Sequence, residues 1–108
     1  MIDKNNSQLA HLVFFTLKNK SADSVQSLID ACNKYLRNQP GVVYFGVGTR
    51  DPELDRPVND SEFDVALTVV FESRQSQDVY QQDPQHNQFI AEQKENWERV
   101  RVFDANVL

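Results

Sequence analysis

The chain has 108 residues, the length of one domain, and its 16 acidic and 11 basic side chains give a net charge of -5. That charge, with no lysine or arginine cluster, speaks against a nucleic-acid partner. The single Cys32 excludes an internal disulfide, and no apolar run approaches the ~20 residues of a membrane span, so we expect a soluble, cytoplasmic protein with no membrane partner.

The N-terminal half predicts a strand, a helix and a second strand. We expect residues 1–8 to be a loose polar tail, not a signal peptide, and residues 9–108 to form a single domain. Residues 9–17 are apolar on both faces, which predicts a strand covered on both sides. Ser21 is the expected N-cap of an amphipathic helix that ends before Pro40 and Gly41. Residues 42–48 predict the second strand, in which Gly46 and Gly48 indicate a bulge or a close backbone approach.

The C-terminal half begins with a long connection. Residues 50–62 contain two prolines and five acidic side chains, so we expect an exposed loop, with a lid or a partner contact as the alternative. Residues 63–71 predict the third strand, again apolar on both faces. Ser73 predicts the cap of a short helix ending at Tyr80, and Asp83 followed by Pro84 predicts another helix running to about Trp97. The last strand is predicted over residues 100–107.

The order β-α-β-β-α-β, with the second helical region broken in two, predicts an α+β, ferredoxin-like fold. Such a fold has a four-stranded antiparallel sheet with helices on one face. Its other face would expose several Val, Leu and Phe side chains to water. Leaving apolar surface exposed costs about 25 cal/mol per Å² in folding free energy. The partner that we expect is therefore a second copy of the chain, in a homodimer that pairs the two sheets.

The start of the last helix carries the residues most suited to chemistry. With Asp83 as N-cap, His86 lies in the first helical turn, where the helix dipole disfavours an imidazolium. A neutral imidazole beside the phenol of Tyr80 can act as a general base with a hydrogen-bond donor. An ordinary capped helix packed against a tyrosine would have the same sequence, so both interpretations stay open. On a helix that begins at Pro84, Phe89 would border the face that carries His86.

No cofactor and no metal is expected. The three glycines form no phosphate-binding loop. A metal site made of His11, His86 and Asp83 would lack any tight local spacing of ligands, which makes it the weaker interpretation. His11 lies among apolar residues of the first strand, which favours a buried core or interface histidine over a ligand contact.

Several segments together resemble the stress-responsive dimeric α/β-barrel (Dabb) family. They are residues 11–15 (HLVFF), 39–42 (QPGV) and 70–73 (VFES), then Tyr80, then residues 83–89 (DPQHNQF). The resemblance extends from His11 to about Phe103. It implies a ferredoxin-like protomer whose sheet pairs with that of a second copy to close a barrel. Most members of the family have no established activity.

One subgroup of the family, the plant polyketide cyclases, closes an aromatic ring without a cofactor. The resemblance implies that Tyr80 and His86 stand at its catalytic positions and His11 at a pocket position. Asp83 replaces the first histidine of the motif, and Val65 replaces another pocket histidine, which makes the pocket more apolar. The expected ligand contacts are His11 and Val65, from the resemblance, and Phe89 and Trp97, from the helix face that carries His86.

Three functions are compatible with these residues. The one we favour is a homodimer that binds a small hydrophobic molecule, with no assigned activity. The second is a cofactor-independent cyclase or lyase acting on a carbonyl compound, with His86 as general base and Tyr80 as donor to the carbonyl oxygen. The third is a structural, stress-protective assembly without a ligand.

Overall fold

The structure, a computed structural model, describes residues 7–108, so most of the expected tail at residues 1–8 lies outside the described residues. The elements are β1 (Gln8–Leu17), α1 (Ala22–Tyr35), β2 (Val42–Thr49), β3 (Val65–Phe71), α2 (Arg74–Gln82), α3 (Pro84–Gln93), a 3-10 turn (Lys94–Asn96) and β4 (Trp97–Val107). The four strands form one antiparallel sheet in the order β2-β3-β1-β4. The predicted ferredoxin-like fold is confirmed.

Each helix begins at the side-chain cap that the sequence predicts. A hydroxyl or carboxylate oxygen satisfies a backbone N–H of the first turn that has no partner inside the helix. At α3 the Asp83 carboxylate accepts from the Gln85 N–H at 2.7 Å, and Pro84 takes the first helical position, where no donor is needed. The caps of α1, α2 and α3 are Ser21, Ser73 and Asp83.

Three details differ from the sequence prediction. The third strand begins at Val65 rather than at residue 63. The last helix ends at Gln93, and Trp97 opens β4 instead of closing the helix, because it pairs with Leu17 across the sheet. The irregularity of β2 lies between Val42 and Tyr44 rather than at the glycines of that strand.

Gly41 makes the sharp turn into β2 possible. Its φ of +81° is open to glycine at little cost, and an added Cβ would lie 2.3 Å from the Ser76 Oγ. This turn brings β2 alongside β3 and seats the start of α2 against it.

The inner face of the sheet is the face that the helices cover. Every second side chain of β1 and β3 is buried beneath them, as the two-residue period of a strand requires. Burying one such Val, Leu or Phe contributes about 1.5–3 kcal/mol. The buried side chains of the inner face are Leu9, His11, Val13, Phe15, Leu17, Val65, Leu67, Val69 and Phe71.

The outer face of the sheet is apolar but only partly covered. Tyr44 on β2 and Phe103 on β4 are more than half exposed. One end of this face is covered by the end of the long loop, where Phe63 packs edge-on against Phe14 at 5.1 Å and Asp60 pairs with Arg101. Most of the loop is exposed, as expected. None of the helices between residues 7 and 108 is long and apolar enough to cross a membrane.

Candidate functional site

A cavity of about 180 Å³ lies between the inner face of the sheet and helices α2 and α3. A cavity of about 150 Å³ is large enough to hold benzene, so this one has room for a single aromatic ring with a small substituent. It has an aromatic end, a polar end and aliphatic walls. Its lining residues are His11, Val13, Phe15, Leu36, Leu67, Tyr80, Gln81, His86, Phe89, Ile90, Trp97, Val100 and Val102.

The break between α2 and α3 builds the polar end. The Asp83 N–H donates to the Tyr80 carbonyl at 3.2 Å and closes α2, while the side chain of Asp83 opens α3. The last turn of α2 and the first turn of α3 therefore face each other. As a result the rings of Tyr80 and His86 meet edge-on, with centroids 4.7 Å apart and planes at 63°.

The environment of His86 favours the neutral imidazole. Partial burial, and next the nearby His11, lower the pKa of His86 below its usual value of 6.5, and Asp83 offsets only part of this. The Nδ1 atom of His86 is buried and has no hydrogen-bond partner among residues 7–108. A neutral imidazole can accept a proton at pH 7, and a buried nitrogen without a partner is unusual in a settled core.

Tyr80 remains a phenol at neutral pH. Burial, with a smaller contribution from Cys32, raises the pKa of Tyr80 above its usual value of 10. Its side chain is 2% exposed and also contacts the ring of Phe71 at 4.9 Å. A buried phenol held between a strand and two helices is a fixed hydrogen-bond donor.

His11 reaches the polar end from β1. Its ring lies edge-on to Tyr80 at 6.0 Å, and its Nδ1 lies 2.6 Å from the Asp104 Oδ1. The amide of Gln77, on α2, lies 3.5 Å from the same nitrogen. A buried histidine paired with a partly exposed carboxylate thus stands beside His86 and Tyr80.

The aromatic end consists of three rings. Phe15 lies 5.1 Å from Trp97 and 6.3 Å from Phe89, and Phe89 lies 5.7 Å from Trp97, as ring centroids. These spacings are those of favourable aromatic contacts. The Nε1 of Trp97 is buried without a hydrogen-bond partner in the described part of the chain. The cavity is therefore apolar except at a few fixed positions.

Five of the six predicted site residues lie together on this cavity: Tyr80, His86, His11, Phe89 and Trp97. Val65 is not among the lining residues. It is completely buried at the start of β3, where Phe15 is its partner in the register, so it belongs to the packed core. Leu67, two residues further along β3, lines the cavity instead.

The sequence prediction missed Asp104 and the wall made by β4. Asp104 pairs with His11 across the sheet, in the same register that sets Val102 against Val13 and Val100 against Phe15. A signal existed in the two-residue alternation of Val100, Val102 and Asp104, since it places a carboxylate in line with an apolar wall. The partner of Asp104, which is His11, can be identified only from the register between β1 and β4, two strands far apart in sequence.

The described residues contain no cluster of three or more His, Cys, Asp or Glu side chains that could hold a metal ion. Asp83, the third member of the metal site considered from sequence, is engaged as a helix cap. What the arrangement can do is enclose a small apolar molecule and exchange hydrogen bonds or a proton with one polar group on it.

Comparisons with known proteins show the family of the chain. A family model described as the stress responsive A/B barrel domain (Dabb) matches residues 9–107. No curated protein matches the sequence.

Several solved structures share the fold at low sequence identity. A Dabb family protein with a ferredoxin-like fold from Mesorhizobium loti is 21% identical, with a TM-score of 0.78 over 94% of this chain and 98% of its own. The hydroxynitrile lyase of Passiflora edulis is 18% identical, with a TM-score of 0.78 over 95% of each chain. A dimeric ferredoxin-like protein of unknown function from Thermobifida fusca is 16% identical, with a TM-score of 0.77 over 99% of this chain and 97% of its own.

Proposed function

The chain belongs to the stress responsive A/B barrel domain (Dabb) family, and from this we propose that it is a homodimer whose protomers each bind one small, largely apolar molecule in the cavity beneath α2 and α3. The observation that carries the proposal is the cavity itself. It has one aromatic end, formed by Phe15, Phe89 and Trp97, and one polar end around His86. Ligand sites in proteins combine apolar walls with a few convergent polar groups in this way.

The outer face of the sheet supports the dimer. Leu12, Phe14 and Val70 lie on it, only partly buried by residues 7–108, beside the more exposed Tyr44 and Phe103. Apolar patches of this kind on a soluble domain mark contact surfaces. A symmetric pairing would cover the same patch on both copies at once. The Thermobifida fusca protein of the same fold is described as dimeric.

The buried nitrogens of the cavity wall support a ligand with a polar group. His86 Nδ1 and Trp97 Nε1 belong to lining residues and have no partner within residues 7–108. A buried polar atom left unpaired costs about 1–3 kcal/mol. A ligand oxygen that meets one of these side chains offsets part of that cost, so we expect phenols and aromatic ketones to bind better than plain hydrocarbons.

A thermal-shift screen of the purified protein against small phenols and aromatic ketones tests the proposal. A ligand at 100 times its Kd should stabilise the folded state by about 2.7 kcal/mol, which raises the Tm by roughly 10 °C for a domain of this size. Val102→Trp should remove the shift, because the added indole would occupy the cavity mouth. His86→Ala and Tyr80→Phe should weaken it.

The control is Tyr35→Phe, since Tyr35 bonds Glu92 away from the cavity; it should keep the full shift. Compounds that stabilise Val102→Trp as well as the wild type would show that they bind elsewhere. If no phenol or ketone stabilises the wild type, the proposal is contradicted. The result would then favour the structural, stress-protective interpretation.

The contact between His86 and Tyr80 favours a second candidate function, a cofactor-independent lyase or cyclase. A neutral imidazole could remove a proton next to a carbonyl, or from a hydroxyl group, while the Tyr80 phenol donates to the carbonyl oxygen. The fold also occurs in the hydroxynitrile lyase of Passiflora edulis, so aromatic hydroxynitriles are natural first substrates to test.

Two assays address this chemistry: cyanide release from mandelonitrile, and deuterium exchange at the methyl group of acetophenone. A general base contributes roughly 10²- to 10⁴-fold, so His86→Ala should slow either reaction by that factor. Tyr35→Phe is again the control. Equal rates in wild type and His86→Ala would exclude His86 as the base.

A further inference from the structure

The His11–Asp104 pair separates the apolar cavity from a second, polar pocket. His11 lines the cavity, whereas Asp104 lines the polar pocket together with Leu9, Arg74, Gln77 and Asn106. The side chain of His11 is 6% exposed and that of Asp104 is 43% exposed. The buried imidazole of His11 thus contacts, on its side away from the cavity, the Asp104 carboxylate, which remains in contact with solvent.

The contact decides which nitrogen of His11 is available to the cavity. A carboxylate accepts hydrogen bonds and cannot donate them, so the 2.6 Å contact requires a hydrogen on the His11 Nδ1. The tautomer of a histidine is set by the hydrogen bond of its other nitrogen. The Nε2 atom is therefore the one that His11 offers to a ligand.

We propose that Asp104 is a positioning residue that presents the His11 Nε2 to the cavity as a second polar contact, so that the site selects aromatic molecules carrying two oxygen functions. Hydroxyaryl ketones are the ligand class that this predicts. The proposal rests on the proposed small-ligand function and adds specificity to it.

The geometry around Tyr80 supports two separate anchors. His86 approaches the Tyr80 ring from α3 and His11 approaches it from β1, each edge-on. The aromatic end of the cavity would hold the ring of the ligand, and each imidazole would meet one oxygen. A ligand with one oxygen would leave one of these polar groups unpaired, which costs affinity.

The charged and titratable groups around His11 keep its role distinct from that of His86. They are Asp104 on β4, Arg74 and Tyr80 on α2, and His86 on α3. Of the two histidines at the cavity, only His11 has a carboxylate at hydrogen-bond distance. The Nδ1 of His11 is engaged by Asp104, whereas the Nδ1 of His86 has no partner among residues 7–108, so the two imidazoles offer different nitrogens to the two oxygens.

The first test reads the imidazole ¹⁵N shifts of the free, wild-type protein by NMR in an alkaline buffer. We expect Nδ1 to carry the hydrogen and Nε2 to be bare. In Asp104→Ala this preference should disappear. The control Asp60→Ala removes a carboxylate that is paired with β4 through Arg101, and it should leave the His11 shifts unchanged. A bare Nδ1 in the wild type would overturn the proposal without any variant.

The second test compares the Kd of acetophenone with those of the three hydroxyacetophenone isomers by calorimetry. The wild type should prefer the best isomer by about tenfold, the effect of one additional buried hydrogen bond. Asp104→Ala should lose this preference and keep its affinity for acetophenone, while Asp60→Ala should retain both. Equal binding of all four compounds to the wild type overturns the inference and leaves the proposed function intact. If none of the four binds, both are contradicted.

Discussion

The two faces of the sheet are both apolar, yet the chain covers them differently. On the inner face, Val65, Val69 and Phe71 are completely buried under the helices. On the outer face, Tyr44 and Phe103 remain 57% and 51% exposed. A strand that is apolar on both faces is stabilised by cover on each face, and the helices cover only the inner one. The cover of the outer face, in our proposal, is a second copy of the chain.

The inner face is itself uneven, and the site lies where its packing ends. Every inward-facing side chain of β1 and β3 is buried, but along the edge strand β4 the inward-facing Val100 and Val102 stay 38% and 49% exposed. The cavity opens between this edge and α3. A buried core over β1 and β3 and an incomplete one over β4 leave a small opening at the side of the sheet.

Neighbouring phenylalanines of β1 offer the sharpest contrast between the faces. Phe15→Ala should lower the free energy of unfolding by about 3–5 kcal/mol, because it leaves a cavity in the core. Phe14→Ala should cost much less in the dilute protomer and become more costly as protein concentration rises. Urea unfolding of both variants at several concentrations measures this. Equal, concentration-independent losses would mean that the outer face is not an interface.

A charge at the centre of the outer face should break the assembly while the fold survives. Val70 lies there between Ala10 of β1 and Tyr44 of β2. Val70→Asp would place two carboxylates in the apolar contact of a symmetric dimer. We therefore expect the dissociation constant of the dimer to rise by roughly 100-fold or more. Sedimentation velocity measures the masses.

The matched control for this charge is Val58→Asp, at a loop residue that is 85% exposed. It should leave the dimer and the melting temperature unchanged. A Val70→Asp protein that keeps its dimeric mass would place the contact between copies on another surface.

Most of the fold could be predicted from local sequence patterns. Each helix cap acts on a backbone N–H two or three residues away, so Ser21, Ser73 and Asp83 could be recognised from their own segments. The strands that are apolar on both faces could likewise be recognised, each from its own segment. Trp97 was misplaced because long-range pairing with Leu17 extends β4 and overrides the helical pattern that precedes it.

The site was predicted less completely, for the same physical reason. Tyr80 and His86 are close in sequence and both flank a predicted helix start, so their meeting could be expected. His11 and Asp104 are 93 residues apart, and Val65 was placed on the pocket by resemblance alone. Which strand residues line a cavity depends on strand order and register, and no single segment encodes these.

The smallest predicted effect is the contribution of His86, at the polar end of the cavity, to the pH dependence of the free energy of unfolding. The pKa of His86 in the folded protein lies below its usual value of 6.5, so the unfolded chain binds the proton more tightly. The stability that neutral His86 contributes is therefore present above pH 6.5 and is lost as the pH falls towards the folded pKa. One such group changes the free energy of unfolding by at most about 1.4 kcal/mol per pH unit.

Urea unfolding of the wild type and His86→Asn from pH 8 to pH 5 isolates this contribution. All other ionisable side chains are the same in both proteins, so their contributions largely cancel in the difference between the two. That difference should shift in favour of the variant below pH 6.5 and stay constant above it. A shift in the opposite direction would mean that folding favours the imidazolium, as it would if His86 rather than His11 were held by a carboxylate. The polar end of the cavity would then contain no neutral base, and the lyase or cyclase function would lose its physical basis.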